Sequence, residues 1–182
     1  MVNKFQSKPA VFFDRDGVIT IPIRVRGKGF APRNLEDFKF YDDSIKSLER
    51  IKSAGFISIV VSNQPDVATG LLPIKVLEEM NAILLSSLAV NDVINCQHTS
   101  ENECLCRKPK PGMIFTAVEK HGIDLSRSWI VGDRDSDIEA GISAGLRSVF
   151  INRDWINEAG SKATFECKSL NDAVNFILMH KS

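Results

Sequence analysis

Apolar runs alternate with helical patterns along the 182 residues of this chain. Ala10–Phe13 is an unbroken apolar run, the mark of a strand buried on both faces. Residues 41–54 carry Ile45, Leu48 and Ile51 at helical spacing, with Asp42 or Asp43 as cap and Gly55 as stop. Residues 56–61 form a second β-rich run. Residues 73–89 repeat Leu77, Leu84 and Leu88 and predict a helix with Pro73 in its first turn. A short strand at 93–94 precedes a helix over 111–121, opened by Pro111 and closed by Gly122. A fourth strand at 129–131, a short helix at 138–144 ended by Gly145, and a fifth strand at 148–151 follow. Leu170–Met179 predicts the last helix, with Ser169 and Asp172 in capping-box spacing.

This alternation predicts an α/β fold: one doubly wound parallel sheet with right-handed crossovers, in a single domain over 1–182. Two stretches do not fit the alternation, 19–40 and 96–110. Both read as long loops, and such loops in a compact domain are more often functional than accidental.

Composition narrows the function classes. Lys plus Arg and Asp plus Glu both number 23, so net charge is zero and nothing points to nucleic acid or to a membrane surface. No apolar run approaches a membrane span, and the first apolar stretch is too short for a signal peptide. A cytoplasmic protein with reduced cysteines is the expectation. A small monomer is the expectation for oligomeric state.

Candidate chemistry collects at the predicted strand ends. Asp14-Arg15-Asp16-Gly17 follows the first strand, Ser62-Asn63-Gln64 the second, and Gly132-Asp133 the fourth; Lys108 lies in the loop before the helix at 111–121. In a parallel sheet these ends share one rim, where open α/β sheets bind ligands. Each part alone has a plain reading: turn chemistry for the Asp pair, a strand cap for Ser62 and Asn63, surface charge for Lys108. Together they match phosphoryl transfer. Asp14 would be the nucleophile that forms an aspartyl phosphate. Asp16 would protonate the leaving oxygen and then activate water. The hydroxyl and amides of 62–64 meet phosphoryl oxygens, Lys108 neutralises transferring charge, and the carboxylates suit Mg²⁺. Asp135 and Asp137 read as first-turn stabilisers of the next helix, with a water-mediated metal contact open to Asp137.

Cys96, His98, Cys104 and Cys106 form a second constellation. Three thiols and an imidazole complete a tetrahedral Zn²⁺ set with no open position, so the ion is expected to be structural. Cys104 and Cys106 are too close in sequence for an easy disulfide. Cys167 is assigned to the core.

These residues carry a family resemblance. Phe13-Asp14-Arg15-Asp16-Gly17, Ser62-Asn63-Gln64, Arg107-Lys108-Pro109 and Gly132-Asp133 resemble the four motifs of the haloacid dehalogenase superfamily. The Cys-x-His and Cys-x-Cys loop running into Arg107-Lys108-Pro109 is similar to its histidinol-phosphatase/heptose-bisphosphatase branch. The resemblance spans about residues 10 to 150. It implies a cap-less, Mg²⁺-dependent phosphatase of small phosphomonoesters. A phosphorylated sugar is the favoured substrate and histidinol phosphate the alternative; a non-catalytic sugar-phosphate binding module is the reading from another class. Metal ligands would be Asp14, the backbone carbonyl of Asp16, and Asp133. Arg107 and Arg134 would touch the rest of the substrate, and Arg15, Asn63 and Gln64 belong to the same binding surface. Ser62 stands where the family more often has Thr, and 21–33 is longer and more basic than the usual loop. Arg24 from that loop could meet a second phosphate.

Overall fold

A computed structural model of the protein describes residues 7–153 and 162–181. In chain order the elements are β1 (Ala10–Phe13), β2 (Ile23–Val25), β3 (Lys28–Phe30), α1 (Ser44–Ser53), β4 (Ile57–Asn63), α2 (Ile74–Ser87), β5 (Asp92–Cys96), α3 (Gly112–His121), β6 (Trp129–Gly132), α4 (Asp135–Ser143), β7 (Arg147–Ile151), β8 (Phe165–Cys167) and α5 (Leu170–Met179).

Six strands form one sheet in the order β5-β4-β1-β6-β7-β8, every pairing parallel. The chain builds outward from β1 to β4 and β5, then crosses back to β6. That reversal opens a crevice over the carboxyl end of β1, flanked by the ends of β4 and β6.

Strand alternation divides the core. Val11 and Phe13 face a layer that includes Leu48, Leu77, Met80, Val174 and Ile177 from α1, α2 and α5. Ala10 and Phe12 face Met113, Ile114, Ala117 and Ala140 from α3 and α4. Side chains that alternate across a strand can fill two cores only when helices cover both faces, which is why β1 reads as an unbroken apolar run.

Three local readings change. Ile45 was expected on the inner face of α1; it is 47% exposed, and Ser44, Ser47, Leu48 and Ile51 form the buried stripe instead. The loop at 19–40 contains the antiparallel hairpin β2–β3, hidden in the sequence by strands of only three residues with little apolar alternation. Strand β8 adds a sixth, edge strand, also three residues long and lacking any buried residue. Cys167 on it is only partly buried, its thiol bonded to the Ser169 carbonyl. Among the described residues, no helix is long and apolar enough to cross a membrane.

Candidate active site

The parallel pairing brings the predicted strand ends together. Asp14 follows β1 and its N–H donates to the Val131 carbonyl of β6 (2.9 Å). Lys108 enters from the loop before α3, and its Nζ bonds Asp14 Oδ1 (2.6 Å), the Val61 carbonyl (2.7 Å) and Asp137 Oδ1 (2.6 Å). Asn63 holds the Lys108 backbone from the end of β4. Its Nδ2 donates to the Lys108 carbonyl and its Oδ1 accepts the Lys108 N–H, both at 3.1 Å. Asn63 therefore makes its hydrogen bonds to the chain, where substrate contact was expected.

Three carboxylates, Asp14, Asp133 and Asp137, lie buried with oxygens within 4.8 Å of one another. Burial pushes Asp14 up to about 6; Lys108 opposes this, and Asp137 and Asp16 add to it. Burial, with Asp14 and Asp137, raises Asp133 as well. For Lys108, burial disfavours the charged form, but Asp137 and Asp14 outweigh it and the net shift is upward. Asp133 Oδ1 is buried with no hydrogen-bond partner among the described residues. Gly17, at φ +101°, lies against this carboxylate, and a Cβ there would run into it. Excess negative charge, a carboxylate oxygen with no donor and an all-oxygen donor set fit a hard divalent cation such as Mg²⁺.

Asp137 does more than stabilise the first turn of α4. It is 1% exposed, accepts the Arg134 N–H (3.1 Å) and pairs with Lys108. Gly132 leaves it room, since a Cβ there would meet its side chain.

Asp16 sits in a ring of donors. Arg15 Nε lies 3.0 Å from both of its oxygens and Nη2 2.8 Å from Oδ2; Thr20 Oγ1 donates to Oδ1 (2.9 Å) and Gln64 Nε2 to Oδ2 (2.8 Å). This corrects two expected substrate contacts. Arg15 and Gln64 are fully buried. Arg15 packs beside Asp16, its guanidinium 5.4 Å from the Phe38 ring centroid and its Nη1 3.8 Å from Met80 Sδ, in the core layer that Phe38 and Met80 share. Ser62 Oγ accepts a second hydrogen from Gln64 Nε2 (2.7 Å).

The remaining basic residues divide. Arg107 Nη1 donates to the His98 carbonyl (3.1 Å) and so ties down the cysteine loop. Arg134 Nη2 donates to the Gly29 carbonyl (3.1 Å) on the hairpin, and Arg24 is exposed on β2. The hairpin segment is fastened again by Arg33 to Asp66 (2.6 Å). Arg153, which no motif marks, donates from Nε to the Gly17 carbonyl (2.7 Å) and stacks 4.0 Å over Tyr41. Only its place beyond β7, on the same rim as the other strand ends, could have signalled it.

Cys96, His98, Cys104 and Cys106 converge. Cys96 Sγ lies 3.6 Å from both His98 Nδ1 and Cys104 Sγ, and Cys106 Sγ is 3.2 Å from His98 Nδ1, 3.2 Å from Cys96 and 3.4 Å from Cys104. A tetrahedron of Zn–S and Zn–N bonds has edges of about 3.5–3.8 Å, so this cluster could hold zinc. The cysteines are free of disulfides. Lys110 Nζ donates to the carbonyls of Glu103 and Cys104, both at 2.9 Å, and Gly112 passes so close to the Leu105 carbonyl that a Cβ would collide.

A strand-end aspartate pair, a buried lysine on the first aspartate and an acidic cluster at a topological switch point define the class of HAD-like hydrolases. The family model described as HAD-hydrolase-like matches residues 105–173. A D-glycero-beta-D-manno-heptose-1,7-bisphosphate 7-phosphatase of Helicobacter pylori is 30% identical over 175 residues, 92% of this chain and 96% of its own. A D-glycero-alpha-D-manno-heptose-1,7-bisphosphate 7-phosphatase of Photorhabdus laumondii is 33% identical over 152 residues, 77% of this chain and 80% of its own. The crystal structure of a D,D-heptose 1,7-bisphosphate phosphatase from B. bronchiseptica, complexed with magnesium and phosphate, shares the fold. Its TM-score is 0.78 at 22% identity, covering 94% of this chain and 99% of that one. The chain belongs to the heptose-bisphosphate phosphatase family of HAD-like hydrolases.

Proposed function

We propose that this protein is a Mg²⁺-dependent phosphatase that removes the 7-phosphate of D-glycero-D-manno-heptose 1,7-bisphosphate, with residues 1–182 acting as one catalytic domain. The observation that carries the reading is Asp14 held at 2.6 Å by a buried Lys108 at the switch point, with Asp16 two residues on. Asp14 attacks the phosphorus in line with the leaving sugar oxygen, forming the aspartyl phosphate. Asp16 gives that oxygen its proton, then takes one from the water that hydrolyses the intermediate. Lys108 and the Ser62 hydroxyl steady the transferring phosphoryl oxygens. Asp14, the Asp16 carbonyl and Asp133 would hold Mg²⁺, which would supply charge neutralisation at the phosphate. Cys96, His98, Cys104 and Cys106 would hold Zn²⁺ with four protein ligands, and that ion would support structure alone. Arg24, Arg107 and Arg134 are the residues assigned to the distal part of the substrate, Arg107 and Arg134 through guanidinium nitrogens other than those bonded to His98 and Gly29.

Phosphate release from both heptose bisphosphate anomers, hexose bisphosphates and histidinol phosphate tests this. A heptose bisphosphate is expected to give the highest kcat/KM, and the preferred anomer is read directly. Preference for histidinol phosphate would move the substrate, and no turnover by folded, metal-loaded protein would sink the reading. Asp14→Asn is expected to abolish turnover with the melting temperature kept; an active variant would rule out the aspartyl phosphate.

A further inference from the structure

Gln64 is unusual among the residues around the site. It is fully buried, so no substrate reaches it, yet its side chain touches two of the groups that do the chemistry. Nε2 lies 2.8 Å from Asp16 Oδ2 and 2.7 Å from Ser62 Oγ. Its backbone is fixed as well, with the N–H donating to the Cys96 carbonyl at 2.7 Å.

The chemistry of the partners sets which way the amide points. Both Asp16 oxygens already accept from Arg15, and Oδ1 from Thr20, so the face that Gln64 turns toward Asp16 is the donor, its NH₂ group. The reverse orientation would press Oε1 against the carboxylate. An NH₂ group has two hydrogens, one for Asp16 and one for Ser62 Oγ. Ser62 is then an acceptor toward Gln64 and cannot spend its own hydrogen there. That hydrogen is left for an acceptor in the crevice, such as a phosphoryl oxygen. The arrangement leaves Gln64 Oε1 buried with no partner among the described residues, a cost it carries for this orientation.

We infer that Gln64 is a positioning residue that sets Asp16 and Ser62 together, placing the acid/base and turning the serine hydroxyl outward as a donor. The inference rests on the phosphatase reading above, in which Asp16 and Ser62 act on substrate. Arg15 and Thr20 also hold Asp16, but only Gln64 joins it to Ser62 among the described residues.

The test is a double-mutant cycle of wild type, Gln64→Met, Ser62→Ala and the double variant, with kcat, KM and melting temperature measured on the heptose bisphosphate. Met matches the volume of Gln and removes both donors; Gln64→Leu serves if the Met variant does not fold. Gln64→Met is expected to lower kcat by roughly ten- to a hundredfold, a part of the roughly hundred- to ten-thousandfold that a positioned acid/base group contributes, and to leave KM within about threefold. In the Ser62→Ala background the loss from Gln64→Met is expected to be clearly smaller, because one of its two targets is gone. The same factor in both backgrounds, an unchanged kcat, or a loss carried by KM would overturn the inference while leaving the phosphatase reading intact. A wild type that turns over no phosphomonoester would bring down that reading and this inference with it.

Discussion

Lys108 is the residue on which the site's charge balance turns. It carries a buried positive charge between Asp14 and Asp137, and each contact is 2.6 Å. Removing it leaves two buried carboxylates without their cation. Lys108→Met is therefore expected to destabilise the metal-free protein by roughly 3–5 kcal/mol as well as to stop turnover; urea unfolding checks it, and an unchanged midpoint contradicts it. Asp14 gives a pH signature in the same metal-free protein. Burial holds it up at about 6, against 3.8 for the ordinary carboxyl. Its folded-state value is above its unfolded value, so its contribution is fully present below about pH 3.8 and is lost as pH rises through about 6. Mg²⁺ offsets that loss by favouring the ionised form. The gap in melting temperature between Mg²⁺-loaded and metal-free protein is expected to widen as pH rises from 5 to about 7, and a gap independent of pH would contradict the assignment. The sequence showed Asp14, Asp16, Lys108 and Asp133 by type and spacing. It could not show that Arg15, Asn63 and Gln64 turn inward, because motif position says nothing about which way a side chain faces.

At the scale of elements, the cysteine loop and the catalytic loop are one continuous piece. Lys108 lies two residues beyond Cys106, and Asn63 grips its backbone from β4 while Gln64 grips the Cys96 carbonyl. If the four cysteine-loop ligands hold zinc as proposed, its loss is expected to lower both stability and turnover. Cys104→Ser, or treatment with a strong chelator, checks this alongside metal analysis: near one zinc per chain in untreated protein, a lower melting temperature and reduced kcat without it. Full activity in zinc-free protein would separate the two loops. Most helices and strands of the fold were legible because their buried faces repeat at helical or extended spacing. The hairpin β2–β3 and strand β8 were not. Each strand is three residues long, and edge pairing rests on backbone hydrogen bonds that any sequence supplies.

At the scale of the molecule, the crevice exists because the order of winding across the sheet reverses at β1, so β4 and β6 flank the same strand end. A ligand bound there ties together segments from residue 14 to residue 137, and its binding is linked to global unfolding. Mg²⁺ with inorganic phosphate, at about a hundred times the dissociation constant, is expected to add about 2.7 kcal/mol and raise the melting temperature by roughly 5–10 °C. Calorimetry checks it; no shift with either ligand would mean the crevice does not bind them. The sequence by itself determined the alternation of strands and helices, and it marked Asp14, Asp16, Lys108 and Asp133, with Cys96, His98, Cys104 and Cys106, as candidates, since apolar periodicity and residue types at such spacings are written locally in the chain. Only the tertiary structure decided that Lys108 is shared by Asp14 and Asp137, that Arg15 and Gln64 are buried holders of Asp16, and that Arg33 and Arg134 fasten the hairpin. Those pairings join residues as far as 105 positions apart, and such distances are closed by the packing of the sheet, with no local pattern to record them.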